Sequence, residues 1–163
     1  MRLLLVRHAI AFDRDTPGVS DHLRPLTEDG IARFKKSARA LGLLVTADVV
    51  LTSPLLRAKQ TAEILARQWS AVGVHEAEPL ASGSRAHFEE AISRLSNASV
   101  IAAVGHEPTL SQWTAEWLGA SRGEGFAFKK GGAALLEFEE GVAAGAGRLV
   151  HFLPPKVIKA LTA

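Results

Sequence analysis

The chain has 163 residues, the length of one ordinary domain and too short for two with a linker. Its 47% hydrophobic and 22% charged content excludes disorder and fibrous architectures, and the absence of cysteine excludes disulfide scaffolds, thiol catalysis, zinc ribbons and iron–sulfur clusters. The formal net charge is only +2, and with neither Cys nor Tyr little titrates between the histidines and the lysines, so the pI of 9.2 reflects a flat titration curve.

Adjacent lysines occur only at Lys35–Lys36 and Lys129–Lys130. A nucleic-acid binder would show a clustered basic stripe, so no nucleic-acid partner is expected. No apolar run approaches the roughly 18 residues of a membrane-spanning helix, and Leu3–Val6 is too short for a signal-peptide core. The expectation is a cytoplasmic protein with no membrane partner.

In chain order, strands and helices alternate. Arg2–Val6 reads as a buried strand, and Arg7 to Pro25, rich in Asp, Pro, Gly and Ser, as a loop. Thr27 caps a helix with Glu28 and Asp29 in its first turn, running to about Gly42. Asp48–Leu51 is a second strand. Ser53–Pro54 signals a helix start, a capping residue followed by proline, and the helix continues through Arg67. Gly73–Glu78 is a third strand, and Arg85 to Leu95 a helix with Phe88, Ile92 and Leu95 along one face. Ser99–Val104 is a further strand and Pro108 to Leu118 a further helix. Ala133–Phe138 and Arg148–Phe152 form a hairpin across a Gly/Ala-rich turn. Trp69, Trp113 and Trp117 fall on helices as packing residues, and His75 and His151 on the surface. The expected architecture is one α/β domain over residues 1–163: a three-layer sandwich, with a mostly parallel central sheet flanked by helices and an antiparallel C-terminal hairpin.

Three turns each follow a strand directly: Arg7–His8, Ser53 to Arg57, and Gly105-His106-Glu107-Pro108. In open α/β sheets ligands sit beyond the carboxyl ends of parallel strands. If the three strands are neighbours, two arginines and two histidines converge there. The second and third turns also open helices, whose N–H groups and dipoles favour an anion. Singly, each residue would be an ordinary strand-end side chain; together they describe a phosphate pocket.

The segments Leu5-Val6-Arg7-His8-Ala9, Thr52-Ser53-Pro54-Leu55-Leu56-Arg57-Ala58 with Gln60-Thr61-Ala62, and Val104-Gly105-His106-Glu107-Pro108 resemble the three signature segments of the histidine phosphatase superfamily, the phosphoglycerate-mutase-like fold. Leu23-Arg24-Pro25-Leu26-Thr27, Gly131–Phe138 and the short length are similar to its small SixA-type phosphohistidine phosphatases. The resemblance implies that His8 is the nucleophile, that Arg7 and Arg57 clamp the phosphoryl oxygens, and that His106 donates a hydrogen bond to them. It implies Arg24 and Ser53 as substrate-binding residues. Guanidinium forks match phosphate oxygens, and with a protonated histidine they would supply the charge a metal otherwise brings, so neither metal nor other cofactor is expected.

Two departures from the wider superfamily bear on activity. Ala9 and Ile10 follow the first histidine where mutases carry Gly and then Glu, Gln or Asn, which argues against a mutase. The general acid of larger relatives has no clear counterpart: Glu76 and Glu78 lie in the right interval, and Glu78 is the better candidate. A phosphohistidine's leaving imidazole is less basic than an alkoxide and needs less protonation. The glycines from Gly141 to Gly147 lie in a hairpin turn and form no dinucleotide fingerprint. His87 and Glu90 on a helix face read as solvated, and Asp21–His22, which could border the pocket, receives no role. The expected function is a metal-independent phosphatase working through phosphohistidine. The expected partner is a phosphorylated protein, such as a histidine phosphotransfer domain. The alternatives are a phosphatase for small phosphate esters and, from another class, a non-catalytic phosphate-binding module.

Overall fold

Leu3 to Val6 are four consecutive apolar residues, a run that is stable as a strand only when both of its faces are covered. The computed structural model, which describes residues 1–70 and 72–161, places them at the centre of the sheet. β1 (Arg2–Arg7), β2 (Val49–Thr52), β3 (Val74–Glu76) and β4 (Val100–Gly105) are parallel, while β5 (Ala133–Phe138) and β6 (Gly147–Leu153) are antiparallel. The order across the six-stranded sheet is β3-β2-β4-β1-β5-β6. The expected sandwich, mostly parallel with a C-terminal hairpin, is the observed fold.

The pleat sends alternate strand residues to opposite faces. Leu4, Val6, Val50, Ala102, Val104 and Leu135 pack on one side beneath α1 (Glu28–Leu44), α2 (Leu56–Ala66) and the short C-terminal α6 (Pro155–Ala160). Leu3, Leu5, Leu51, Ile101, Ala103 and Leu136 pack on the other beneath α3 (Pro79–Ser82), α4 (Arg85–Ser93) and α5 (Thr109–Trp117). Phe88 stacks on Trp113 at 4.9 Å between ring centroids, and Trp117 meets Phe138 edge-on at 6.0 Å. Trp69 is buried as expected but lies beyond the end of α2, its indole N–H donating to the Val45 carbonyl at 2.8 Å.

Several boundaries differ from the sequence reading, each for a local reason. α1 is capped by Thr27, whose Oγ1 accepts from Gly30 N at 3.0 Å, but it runs through Gly42 to Leu44. Gly42 remains inside the helix because a Cβ there would lie 2.7 Å from Gln68 Cβ; the glycine serves close packing rather than termination. Gly30 has the same function more acutely, since a Cβ would lie 2.1 Å from the Ile10 carbonyl oxygen. This close approach lets α1 hold the loop that follows His8. Ser53–Pro54 does not cap α2, which begins at Leu56 with Leu55 in the capping position. β3 is shorter than Gly73–Glu78, because Pro79 opens α3 and Glu78 precedes it in helical conformation. Among the described residues no helix is long and apolar enough to cross a membrane.

Candidate active site

Register fixes the site. Arg7 lies opposite Gly105 and Val6 opposite Val104, while Thr52 pairs with Val104 on the other side of β4. The next residues in each strand, His8, Ser53 and His106, therefore leave the sheet at one edge. His8 N donates to Gly105 O and Ser53 N to Val104 O, both at 3.0 Å. β1 and β4 are adjacent yet lead to helices on opposite faces, α1 and α5. Their shared edge is thus the switch point at which an α/β sheet opens a crevice.

His8 is buried, with its ring centroid 5.0 Å from that of His106 and the planes inclined at 51°. Its Nδ1 lies 2.7 Å from the Ala9 carbonyl oxygen. A carbonyl only accepts, so Nδ1 carries the proton and Nε2 keeps its lone pair. The backbone around the ring is held in turn by Thr61, whose Oγ1 accepts from Ala9 N at 3.0 Å and donates to Arg57 O at 2.6 Å. Gln60 Oε1 accepts from Leu26 N at 2.7 Å, so the Gln60-Thr61 pair ties the first loop to α2.

Arg7 Nη1 donates to Phe128 O at 2.6 Å, and Phe128 N donates to Glu107 Oε1 at 3.0 Å. Glu107, which also accepts from Ser111 Oγ at 2.6 Å, thereby fixes the segment that orients Arg7. The buried Arg57 and Arg24 converge on Asp21, in a 3-10 turn (Asp21–Leu23) of the first loop. Arg57 Nη1 donates to Asp21 O at 2.7 Å and Nη2 to Oδ2 at 3.2 Å, while Arg24 Nε donates to Oδ1 at 2.9 Å and Arg24 Nη1 to Phe12 O. Asp21, which the sequence reading left without a role, is thus the hub of the arginine cluster. Its signal was the Asp21–Arg24 spacing of three.

Ser53 is fully buried, and its hydroxyl lies 2.8 Å from His106 Nε2 while accepting from Leu55 N at 3.3 Å. Ser53 therefore touches His106 and the start of α2. Glu78 is exposed, and among the described residues no ion pair joins it to the arginines or histidines. Glu76 is paired with Lys59 at 2.5 Å. His87 bonds Ser84 Oγ at 3.0 Å and Glu90 pairs with Arg94. Among the described residues no group of three or more His, Cys, Asp or Glu is placed to hold a metal.

Three polar atoms at the crevice are buried without a hydrogen-bond partner: Arg7 Nε, Arg57 Nε and His106 Nδ1. Burying a donor unsatisfied costs about 1–3 kcal/mol, so this concentration marks a place built for an acceptor. Burial also pulls the Arg7 and Arg57 guanidiniums below their ordinary values, against the pull of Glu107 and Asp21 respectively. Partial burial opposes ionisation of Asp21, but the hydrogen bond from Arg24 and the charges of Arg57 and Arg24 outweigh it and hold its carboxyl low.

Burial, aided by His106, Arg57 and Arg7 and opposed by the Ala9 hydrogen bond, lowers His8 to about 3. Burial and then Arg57 lower His106 to about 4, with Asp21 opposing. Both rings are neutral at pH 7. At this pH the positive charge of the crevice therefore sits on its arginines.

These lowered values make stability depend on pH. The unfolded chain takes up protons near pH 6.5 that the folded chain refuses until about pH 4 and pH 3. The contribution of the two rings is complete above 6.5 and is lost as pH falls, by up to about 1.4 kcal/mol per pH unit for each ring. We expect the thermal midpoint to fall between pH 7 and pH 5, and less steeply in His106→Gln. Equal slopes in the two proteins would contradict a buried neutral His106.

The sequence pattern of the histidine phosphatase superfamily (branch 1) matches residues 3–82. The uncharacterized protein SYNPCC7002_A2622 of Picosynechococcus sp. (strain ATCC 27264 / PCC 7002 / PR-6) is 38% identical over 138 residues, 81% of this chain and 82% of its own. The protein histidine phosphatase SixA solved with tungstate superposes with a TM-score of 0.81 at 25% identity, covering 96% of this chain and 98% of that one. The chain belongs to the histidine phosphatase superfamily. A SixA protein from Nakamurella multipartitia superposes with a TM-score of 0.71 at 26% identity, over 93% of this chain and 95% of its own. Within the superfamily this histidine phosphatase is of the SixA type, and it is a hydrolase, a phosphatase.

Proposed function

We propose that this histidine phosphatase acts in the cytoplasm on phosphohistidine carried by a protein, through a phosphohistidine intermediate at its own His8. The observation that carries the reading is a neutral His8 with its Nε2 lone pair free, beside two buried guanidinium Nε–H donors without partners. In the first step a bond forms from Nε2 to phosphorus while the bond from phosphorus to the substrate's imidazole nitrogen breaks, and that nitrogen takes a proton from solvent. In the second, water attacks phosphorus, the P–Nε2 bond breaks, and orthophosphate and a proton leave. Arg7 and Arg57 hold the equatorial oxygens through both steps, so that the charge developing in each transition state meets fixed donors.

Ser53 acts through His106. With the Ser53 hydroxyl donating to Nε2, the His106 proton sits on Nδ1, the buried nitrogen without a partner, and is available to a phosphoryl oxygen. Arg24 holds Asp21 against Arg57 and so fixes the rim.

The protein substrate is supported by what covers the site. The 48 residues from 58 to 105 are used by the rest of α2, by β3, α3, α4 and β4. They leave little for a lid, with the loop from Ala9 to Pro25 as the sizeable candidate cover, and a pocket with so little above it encloses little of a small molecule. The SixA relative named above is described as a protein histidine phosphatase. In excess chelator, kcat/KM for a phosphohistidine-bearing protein should exceed that for sugar phosphates by at least about tenfold, or 1.4 kcal/mol. A sugar phosphate as the better substrate, or activity lost to chelator and restored by magnesium, would overturn the reading.

A further inference from the structure

Beside the phosphoryl site, on the face of the sheet that carries α1, lies a groove of about 720 Å³ between α1, residues 129–131 and the start of α6. Arg7 and Ala9, the two neighbours of His8, line it, so whatever occupies the groove rests against the backbone that carries the nucleophile. Its floor is apolar, with Ile10, the buried Phe34 and Pro155. Its rim carries the exposed Lys129, Lys130 and Lys156. None of the described lining residues is acidic; Asp29, which pairs with the rim's Arg33 at 2.7 Å, lies outside it. In a chain of net charge +2 this is a local concentration of positive charge, and it includes one of the two adjacent lysine pairs.

The volume would suit a small ligand, but the chemistry favours a larger one. Small-molecule pockets fix their ligands with a few well-placed polar groups in an enclosed cavity. Here the charges ride on exposed, flexible lysines around an apolar floor, the pattern of a protein interface with an apolar centre and a charged rim. We propose that the groove docks an acidic segment with an apolar face, belonging to the protein that presents the phosphohistidine; this rests on the protein-substrate reading above. Leucine- or phenylalanine-like side chains fill the floor, and flanking carboxylates meet Lys129, Lys130 and Lys156. The phosphorylated side chain then reaches Nε2 past Arg7.

The test has two arms. In the first, an unphosphorylated 15-residue peptide with Leu and Phe on one helical face and Glu and Asp elsewhere is titrated against the full chain by fluorescence anisotropy, beside the same peptide with Lys replacing each acid. The acidic peptide should bind and the basic one should not. The double variant Lys130→Glu, Lys156→Glu, which alters two separate elements and neither histidine nor arginine of the site, should weaken binding by at least about tenfold. In the second arm the same variant should raise KM for the phosphoprotein by a similar factor, leaving kcat and the hydrolysis of p-nitrophenyl phosphate unchanged. Equal binding of the two peptides, binding unaffected by the double variant, or displacement of the peptide by equimolar pyrophosphate would overturn the docking groove. Selective peptide binding with a phosphoprotein that is hydrolysed no better than sugar phosphates would sustain the groove's acidic preference and overturn the substrate reading instead.

Discussion

Replacing His8 with alanine should lower kcat/KM by at least about 10⁴-fold, a loss of roughly 5.5 kcal/mol of transition-state stabilisation, while the folded state persists. The size of the effect follows from the proposed role of His8 as nucleophile and from the different placement of His106, the other imidazole at the crevice. His106 Nε2 lies 2.8 Å from Ser53 Oγ, and with that hydroxyl donating to it the proton sits on Nδ1, so neither ring nitrogen has a lone pair free to attack. The His8 ring, by contrast, has its tautomer fixed by the Ala9 carbonyl and its pKa lowered to about 3 by burial, so a lone pair on Nε2 is present throughout the physiological range. Rapid quench with ³²P-labelled substrate should show a transient label on the wild type that is lost in acid and kept in base, as a phosphoramidate is. The His8→Ala protein should carry none. A label that survives acid, or one that persists without His8, would contradict covalent catalysis at this residue. Because both histidines are neutral, the acid limb of kcat/KM should also fall well below the pH of free imidazole.

Much of this arrangement was legible in the sequence because local signals and the fold demanded the same thing. Leu3–Val6 could be stable only as a covered strand, and Thr27 with Glu28 and Asp29 could only begin a helix. The three strand-end turns converge because parallel strands deliver all their carboxyl ends to one edge. What escaped the reading depends on contacts distant in sequence. Asp21 sits in a polar loop whose composition says only that it is exposed; its role appears once Arg57, 36 positions away, is seen to bond it. Glu107 was legible as part of a motif, but its function, holding Phe128 so that Phe128 holds Arg7, spans two long-range contacts. Ser53–Pro54 carries a strong capping signal, yet the Ser53 hydroxyl is drawn to His106 and the helix starts at Leu56. Glu78 was favoured for its nearness to a strand end, whereas Pro79 turns the chain into α3 there and leaves the carboxylate in solvent.

Arg57→Ala should lower kcat/KM by about 10³-fold, and Arg57→Lys should recover only a small part of that loss, because a lysine ammonium cannot present two parallel donors to one phosphoryl group. The guanidinium is almost wholly buried, and Nη1 and Nη2 each give one N–H to Asp21, which leaves the Nε N–H without a partner and a second N–H on Nη2 to complete a two-donor edge. A lysine in its place would meet the Asp21 carboxylate first and have no rigid second donor for phosphate. The substitution should also be visible apart from turnover. Arg57 is the largest electrostatic influence holding His106 down after burial itself, and it lowers His8 as well. Removing it should therefore raise the titration midpoint of the His106 ring above about 4, with a smaller upward move at His8, both readable from ring-proton chemical shifts across pH. Arg57→Lys keeps the charge and should leave His106 close to its original midpoint while activity stays low. That combination separates the two contributions of the guanidinium, its field on the imidazoles and its fork on the phosphoryl oxygens. If Arg57→Lys restored most of the activity together with the midpoint, charge alone would suffice and the fork geometry would lose its role. If instead the His106 midpoint did not move in Arg57→Ala, the burial of the ring would have to account for its neutrality unaided.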